Sequence, residues 1–165
     1  MPLLINRSVV AEDRFTTLNR EALENGEATV PANGDVILPL AYVLENQAAL
    51  EGREGDLGVL VNGDDDVDAL FALLPSLAVV AVEFPVFRDG RGFSIARKVA
   101  RAGFEGEIRA VGDVGRDRLG YMQSCGFNAF ELNDENFSDD SLKAFEEITV
   151  NYQGTAADPR PIFRR

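Results

Sequence analysis

The sequence contains no histidine, no tryptophan and only one cysteine among its 165 residues. The absence of histidine excludes an imidazole general base, a Ser-His or Cys-His catalytic pair and a zinc site with histidine ligands. With Cys125 as its single thiol, one chain can form neither an intramolecular disulfide nor a cysteine-ligated iron–sulfur centre. Because it lacks a disulfide framework, we expect the protein to be cytoplasmic.

Positive charge is also scarce, and long apolar runs are missing. Sixteen lysine and arginine residues stand against 28 aspartate and glutamate residues, which gives a formal net charge of −12. Such a chain repels phosphate backbones and anionic lipid, so we expect no nucleic-acid partner and no membrane partner. No stretch approaches membrane-spanning length, and the N-terminal residues lack the apolar run of a signal peptide.

What the sequence does contain is an alternation of strand-like and helix-like segments that begins at Asp35. Apolar runs at Leu57–Val61 and Ala78–Phe84 predict buried strands, and helical periodicity follows each of them. Two of the helices are predicted to end at Gly103 and Gly126. Repeated strand–helix units predict an α/β fold of parallel βα units, arranged either as a partial (β/α) barrel or as an open doubly wound sheet.

The chain divides into three predicted regions. Residues 1–34 form an N-terminal arm with short strands near Leu3–Ile5 and Phe15–Leu18, residues 35–150 form a single α/β domain, and residues 151–165 form a flexible C-terminal tail. A partial barrel leaves sheet edges open, so we expect the protein to be a homo-oligomer.

In both candidate architectures, functional groups collect in the loops that follow the carboxyl ends of the strands. Because parallel strands all end on the same side of a sheet, these loops lie near one another. The predicted strand-end loops are residues 62–66, 85–92, 113–116 and 133–136.

The second of these loops contains the sequence Asp-Gly-Arg-Gly directly before a helix. Glycines let the backbone approach a ligand, free N–H groups at a helix start attract anions, and an arginine adds charge-assisted bonds. The alternative is a tight turn in which both glycines adopt positive φ and the aspartate caps the helix. The predicted ligand-binding residues for a small oxyanion are Asp89, Gly90, Arg91, Gly92, Ser94 and Arg116.

Two carboxylates lie at the ends of neighbouring predicted strands and are candidate catalytic residues. Asp113 and Glu83 can act as a general base or hold Mg²⁺, with Arg91 as the anion anchor. The other interpretation is an Asp–Arg ion pair at the sheet rim, and this is the one that we favour, so no metal centre is assigned.

Two long stretches resemble one known family. "VEFPVFRDGRGFSIAR" and "GEIRAVGDVGRDRLGYMQSCGFNAFEL" closely resemble a bacterial family catalogued as domain of unknown function 934, and the likeness covers Asp35–Leu132. Members of this family are often labelled as oxidoreductases involved in sulfite reduction, because they are encoded beside sulfite reductase.

The resemblance implies a pathway but no reaction. The cofactor stays unknown, since the sequence has no complete dinucleotide fingerprint, cysteine pair or haem ligand set. We expect an accessory protein of assimilatory sulfite reduction whose strand-end loops bind sulfite reductase or a small oxyanion. The alternative is an enzyme with a carboxylate or Mg²⁺ site at the strand ends.

Overall fold

The computed structural model describes residues 2–132 and 137–164, so the predicted loop at 133–136 lies outside the described residues. The strands are β1 (Leu3–Ile5), β2 (Ser8–Val10), β3 (Phe15–Thr17), β4 (Asp35–Pro39), β5 (Leu57–Val61), β6 (Val79–Phe84), β7 (Glu107–Gly112) and β8 (Ala129–Glu131). The α-helices are α1 (Arg20–Glu24), α2 (Leu40–Glu45), α3 (Gln47–Leu50), α4 (Val67–Leu73), α5 (Arg91–Arg101) and α6 (Leu119–Cys125). Short 3₁₀ helices lie at Leu74–Ser76, Arg116–Arg118, Asp139–Phe145 and Ile162–Arg164.

The eight strands form one sheet in the order β2-β1-β8-β7-β6-β5-β4-β3. Strands β3 to β8 are parallel and lie side by side in chain order, whereas β1 runs antiparallel to both β2 and β8. A doubly wound sheet requires a reversal of strand order, and the described parallel strands have none. The α/β fold is therefore confirmed, in its partial-barrel form.

A short link forces this sheet to curl. Residues 11–14 connect β2 at one edge of the sheet to β3 at the other edge. Five steps from Val10 to Phe15 span at most about 18 Å of extended chain. Seven interstrand spacings in a flat sheet would separate the two edges by about 34 Å. The edges can be joined only because the sheet curves into a half-barrel.

The helices cover the convex face of the half-barrel. Helical residues such as Ile95 and Met122 pack with one alternating set of strand residues, which includes Val80 and Val82, in the main core cluster. The opposite set forms a smaller cluster without helical residues on the concave face: Phe15, Ile37, Val79 and Ala81, with Leu60, Ala78 and Val111 beside them. Successive strand residues point to opposite faces, which accounts for this division.

A cluster of ion pairs centred on Arg109 lies on the concave face near the amino ends of the strands. Arg109 on β7 pairs in register with Ala81, which places it on this face, and its side chain is 1% exposed. Its guanidinium donates to Glu107 Oε1 at 2.5 Å and to both carboxylate oxygens of Asp13. Asp13 belongs to the link that joins the two sheet edges, so the ion pair fastens that link to β7.

Both chain ends contact the α/β unit. β1 pairs with β8, and β3 pairs with β4, so the predicted arm contributes strands to the same sheet. The segment predicted as a tail lies against α5 and α6, where Arg97 donates to the Gly154 carbonyl and Ala156 N–H donates to the Ser124 carbonyl. Within the described ranges, no helix combines the length and apolarity needed to cross a membrane.

Candidate functional site at the carboxyl ends of the strands

The described strand-end loops follow β5, β6 and β7, as the sequence predicts. The loop after β6 begins with a turn in which Asp89 N–H donates to the Val86 carbonyl at 3.0 Å. Asp89 Oδ1 then accepts from the Arg91 backbone N–H at 3.1 Å, at the start of α5. Asp89 thus satisfies an N–H group that the predicted oxyanion would have needed.

The two glycines beside Arg91 have different roles from those expected of a tight turn. Gly90 has a φ of −90°, and neither it nor Gly92 adopts positive φ, so that expectation is wrong. Gly92 is required for packing instead, because a Cβ there would lie 2.7 Å from the ring of Phe84. The glycine therefore lets the first turn of α5 pack onto the end of β6.

Arg91 joins two strand-end loops through carboxylates. Its Nε and Nη2 donate to the two Asp89 oxygens at 3.0 and 2.8 Å, and Nη1 donates to Asp64 Oδ1 at 2.6 Å. The side chain lies so close to Gly63 that a Cβ there would be 2.3 Å from Nε. All three guanidinium nitrogens donate to carboxylates, so the charge of Arg91 is already paired within the protein.

These contacts shift the pKa values of both partners. Hydrogen bonds from the Arg91 side chain, and then from its backbone N–H, lower the pKa of Asp89 to about 2. Hydrogen bonds to Asp89 and Asp64 raise the pKa of Arg91 above its usual value. Both groups are charged at neutral pH, and the charge of Arg91 is balanced within the protein.

The candidate catalytic carboxylates lie together. Glu83 and Asp113 both line an open depression of about 620 Å³ whose other wall is the loop after β6. Asp113 is held there by its backbone N–H, which donates to the Phe84 carbonyl at 2.8 Å. The rim of the depression is apolar, because Val86 is 49% exposed and Phe87 is 67% exposed.

The other predicted ligand residues do not join this group. Ser94 lies exposed on α5, and no hydrogen bond involves its side chain within the described part of the chain. Arg116 donates to Glu147 Oε1 at 2.6 Å and lines a separate groove of about 600 Å³ between α6 and residues 144–157. The structure brings Glu83 and Asp113 to one depression and leaves Arg116 outside it.

Comparison with known proteins gives one result. The family model described as "Bacterial protein of unknown function (DUF934)" matches residues 58–163, which is more than half of the chain. The chain belongs to this family. No curated protein and no solved structure matches it.

The DUF934 match covers the candidate site. It begins in β5 and includes the described strand-end loops after β5, β6 and β7. It extends to residue 163 and so takes in most of the C-terminal segment, beyond the limit at Leu132 that the sequence resemblance suggested. Strands β1 to β4 lie outside the matched region.

Sequence reasoning missed Arg118, which lies among three aromatic rings at the same end of the sheet. Its guanidinium carbon is 4.8 Å from the ring centre of Phe84, and 5.2 Å from those of Phe87 and Phe93. Arg118 is only 8% exposed. The available signal was the spacing of three phenylalanines around the Gly-Arg-Gly sequence, but nothing local shows which arginine they surround.

Proposed function

We propose that this protein is a binding component of assimilatory sulfite reduction whose loop after β6 binds sulfite reductase. The observation that carries the proposal is the exposure of Phe87, at 67%, on a loop that the rest of the site holds in place. Large aromatic side chains on fixed loops are typical anchors of protein interfaces. The resemblance to a family whose members are often labelled as involved in sulfite reduction suggests the candidate partner.

The loop is braced on both sides, which lowers the entropy cost of binding. On one side Asp89 and Arg91 tie it to Asp64 in the preceding strand-end loop. On the other side the Phe87 ring lies over Arg118, which is fixed by a hydrogen bond to the Asp113 carbonyl at 2.7 Å. Phe87 is thus presented to solvent without being loose.

The charges next to Phe87 indicate the chemistry of the partner surface. Arg88 is exposed, and it makes no ion pair within the described residues. The chain as a whole carries −12. We therefore expect a partner surface that is basic overall, with an apolar pocket for Phe87 and a carboxylate for Arg88.

The test is a binding titration of the purified protein against sulfite reductase, by biolayer interferometry at fixed salt. Phe87→Ser should weaken binding by about 30-fold or more, as expected for an interface anchor worth about 2 kcal/mol. Phe163→Ser is the matched control, because Phe163 is 70% exposed and lies outside the strand-end loops. Equal affinity of wild type and both variants, or no complex at micromolar concentration, rejects the proposal.

A second candidate function has one observation in its favour, the shared depression lined by Glu83 and Asp113. Mg²⁺ is often held by one or two carboxylates and completes its shell with water and substrate oxygens. Among the described residues, no group of three or more potential ligand side chains is gathered. An enzyme of this kind should show calorimetric Mg²⁺ binding that is lost in Asp113→Asn, and unchanged heats in that variant reject it.

A further inference from the structure

Arg118 is a buried cation that has no carboxylate partner among the described residues. Only 8% of the residue is exposed, yet within the described residues it forms no ion pair. Among the described residues, the one hydrogen bond of its guanidinium runs from Nη1 to the Asp113 carbonyl at 2.7 Å. Buried arginines are almost always paired, because burial of an unpaired charge is costly.

Aromatic faces replace the missing carboxylate. Phe84, Phe87 and Phe93 all place their ring centres within 5.2 Å of the guanidinium carbon. Such contacts stabilise the charge, but they use the faces of the guanidinium and not its N–H bonds. The donors on Nε and Nη2 have no protein acceptor within the described residues.

These two donors are not sealed from solvent. In the described part of the chain, Arg53 Nε is the one fully buried side-chain nitrogen or oxygen that lacks a hydrogen-bond partner. Nε and Nη2 of Arg118 therefore keep contact with solvent although the residue around them is buried. Nε and Nη2 form one edge of the guanidinium, the edge that binds a carboxylate through two parallel bonds.

We propose that Arg118 is the anion site of this protein and binds the carboxylate group of a small molecule through Nε and Nη2. This inference goes beyond the proposed function, because it requires no protein partner. It also locates anion binding at a residue other than Arg91, whose three nitrogens all bond to Asp89 and Asp64.

The surroundings select the class of anion. Phe84 and Phe87 contact the Arg118 guanidinium, and both also line the depression that Glu83 and Asp113 line. Two carboxylates nearby repel a dianion more strongly than a monoanion. The phenylalanine rings favour a ligand with an apolar body. A monocarboxylate with a short hydrocarbon chain meets both conditions, whereas sulfate meets neither.

The test is an NMR titration of the ¹⁵N-labelled protein with acetate, propionate and sulfate at constant ionic strength. The Arg118 Nε–H resonance is assigned by its loss in Arg118→Lys. We expect it to shift saturably with acetate and to titrate up to about fourfold more tightly with propionate, whose extra methylene contacts the rings. A merely structural arginine would show no saturable shift.

Two variants complete the test, with binding followed through neighbouring backbone amides. Arg118→Lys keeps the charge but loses the two-bond geometry, so acetate affinity should fall at least about tenfold. Arg101→Lys makes the same change at an exposed arginine on α5 and should bind as wild type. No saturable shift of Arg118 in wild type, equal affinity in Arg118→Lys, or tighter binding of sulfate than of acetate overturns the proposal.

Discussion

Two arginines are buried near opposite ends of the parallel strands, and the protein accommodates them differently. Arg109, near the amino end of β7, has Glu107 and Asp13 as partners. Arg118, just beyond the carboxyl end of β7, has three phenylalanine rings and one carbonyl. The first has its charge neutralised inside the fold, whereas Nε and Nη2 of the second have no protein acceptor in the part of the chain that the structure describes.

The difference agrees with a general property of barrel-like folds. Residues at the amino ends of the strands contribute to stability, and residues at the carboxyl ends contribute to function. At the amino end, the Asp13–Arg109 pair fastens the link between the sheet edges. At the carboxyl end, Glu83, Asp113 and the exposed Phe87 line one depression. Phe87 also contacts Arg118, which has no ion-pair partner among the described residues. We predict that the same substitution has a large effect on stability at the amino end and a small effect at the carboxyl end.

Arg109→Met should give the largest loss of stability. The change leaves Asp13 and Glu107 without their cation on a mostly buried face, and loss of one partner from such a cluster costs about 3 kcal/mol. Urea unfolding at pH 7, followed by circular dichroism, measures the free energy of unfolding.

Arg118→Met is the matched control for that experiment. It removes a cation that leaves no carboxylate behind, so the free energy of unfolding should change by less than about 1 kcal/mol. Equal losses of unfolding free energy for the two methionine variants would show that both arginines stabilise the fold to the same extent. That result would contradict the comparison.

Gly92→Ala should have the next largest effect, at the carboxyl end. The new methyl group would lie 2.7 Å from the Phe84 ring, and such overpacking costs about 2 kcal/mol. Gly90→Ala is its control, because a Cβ there meets only Phe93 at 4.0 Å and φ is already −90°. Urea unfolding gives the loss of unfolding free energy for each variant. Equal losses for Gly92→Ala and Gly90→Ala would contradict the packing role of Gly92.

Acidification should give the smallest loss of stability, and it should act on carboxylates at both ends of the strands. Burial raises the pKa of Asp13, but hydrogen bonds from Arg109 and from the Phe15 N–H, together with nearby arginine charges, lower it by more. The pKa of Asp89 is lowered to about 2. A carboxyl whose folded pKa is depressed stabilises the protein above its unfolded pKa, and this stabilisation is lost as pH falls through the folded pKa.

The free energy of unfolding should therefore decline from about pH 4, near the ordinary aspartate pKa, towards pH 2. Arg109→Met should show a shallower decline, since it no longer lowers the pKa of Asp13. Urea titrations between pH 6 and pH 2.5 measure both slopes. If Arg109→Met lost stability with the same slope as the wild type, Asp13 would not contribute to the acid response.

Much of the fold was predictable because its signals are local. Apolar runs marked β5 and β6, and Gly126, at a φ of 116°, ends α6 where the pattern predicts. The short helix α1 was missed although Asn19 caps it, since five residues give too little periodicity. The choice between the two sheet architectures depends on strand order, which no single segment specifies.

The candidate site was predictable only in part, for the same reason. The predicted strand ends place Glu83 and Asp113 at the carboxyl ends of β6 and β7, where the structure has them. Arg91 begins α5 and Arg118 directly precedes α6, each after a strand, so the sequence alone does not show which charge is already neutralised. The Arg109 pair with Asp13 joins residues 96 positions apart, and such a contact leaves no local pattern.

The link between Val10 and Phe15 also bears on how the chain can be rearranged. This four-residue link between opposite edges of the sheet limits how far the half-barrel can flatten. A protease cut within residues 11–14 would leave every strand pairing intact, yet it would remove the covalent limit on curvature. A circular permutant opened there would have only its side chains to keep the sheet bent, and the width of the carboxyl-end depression would then be free to change.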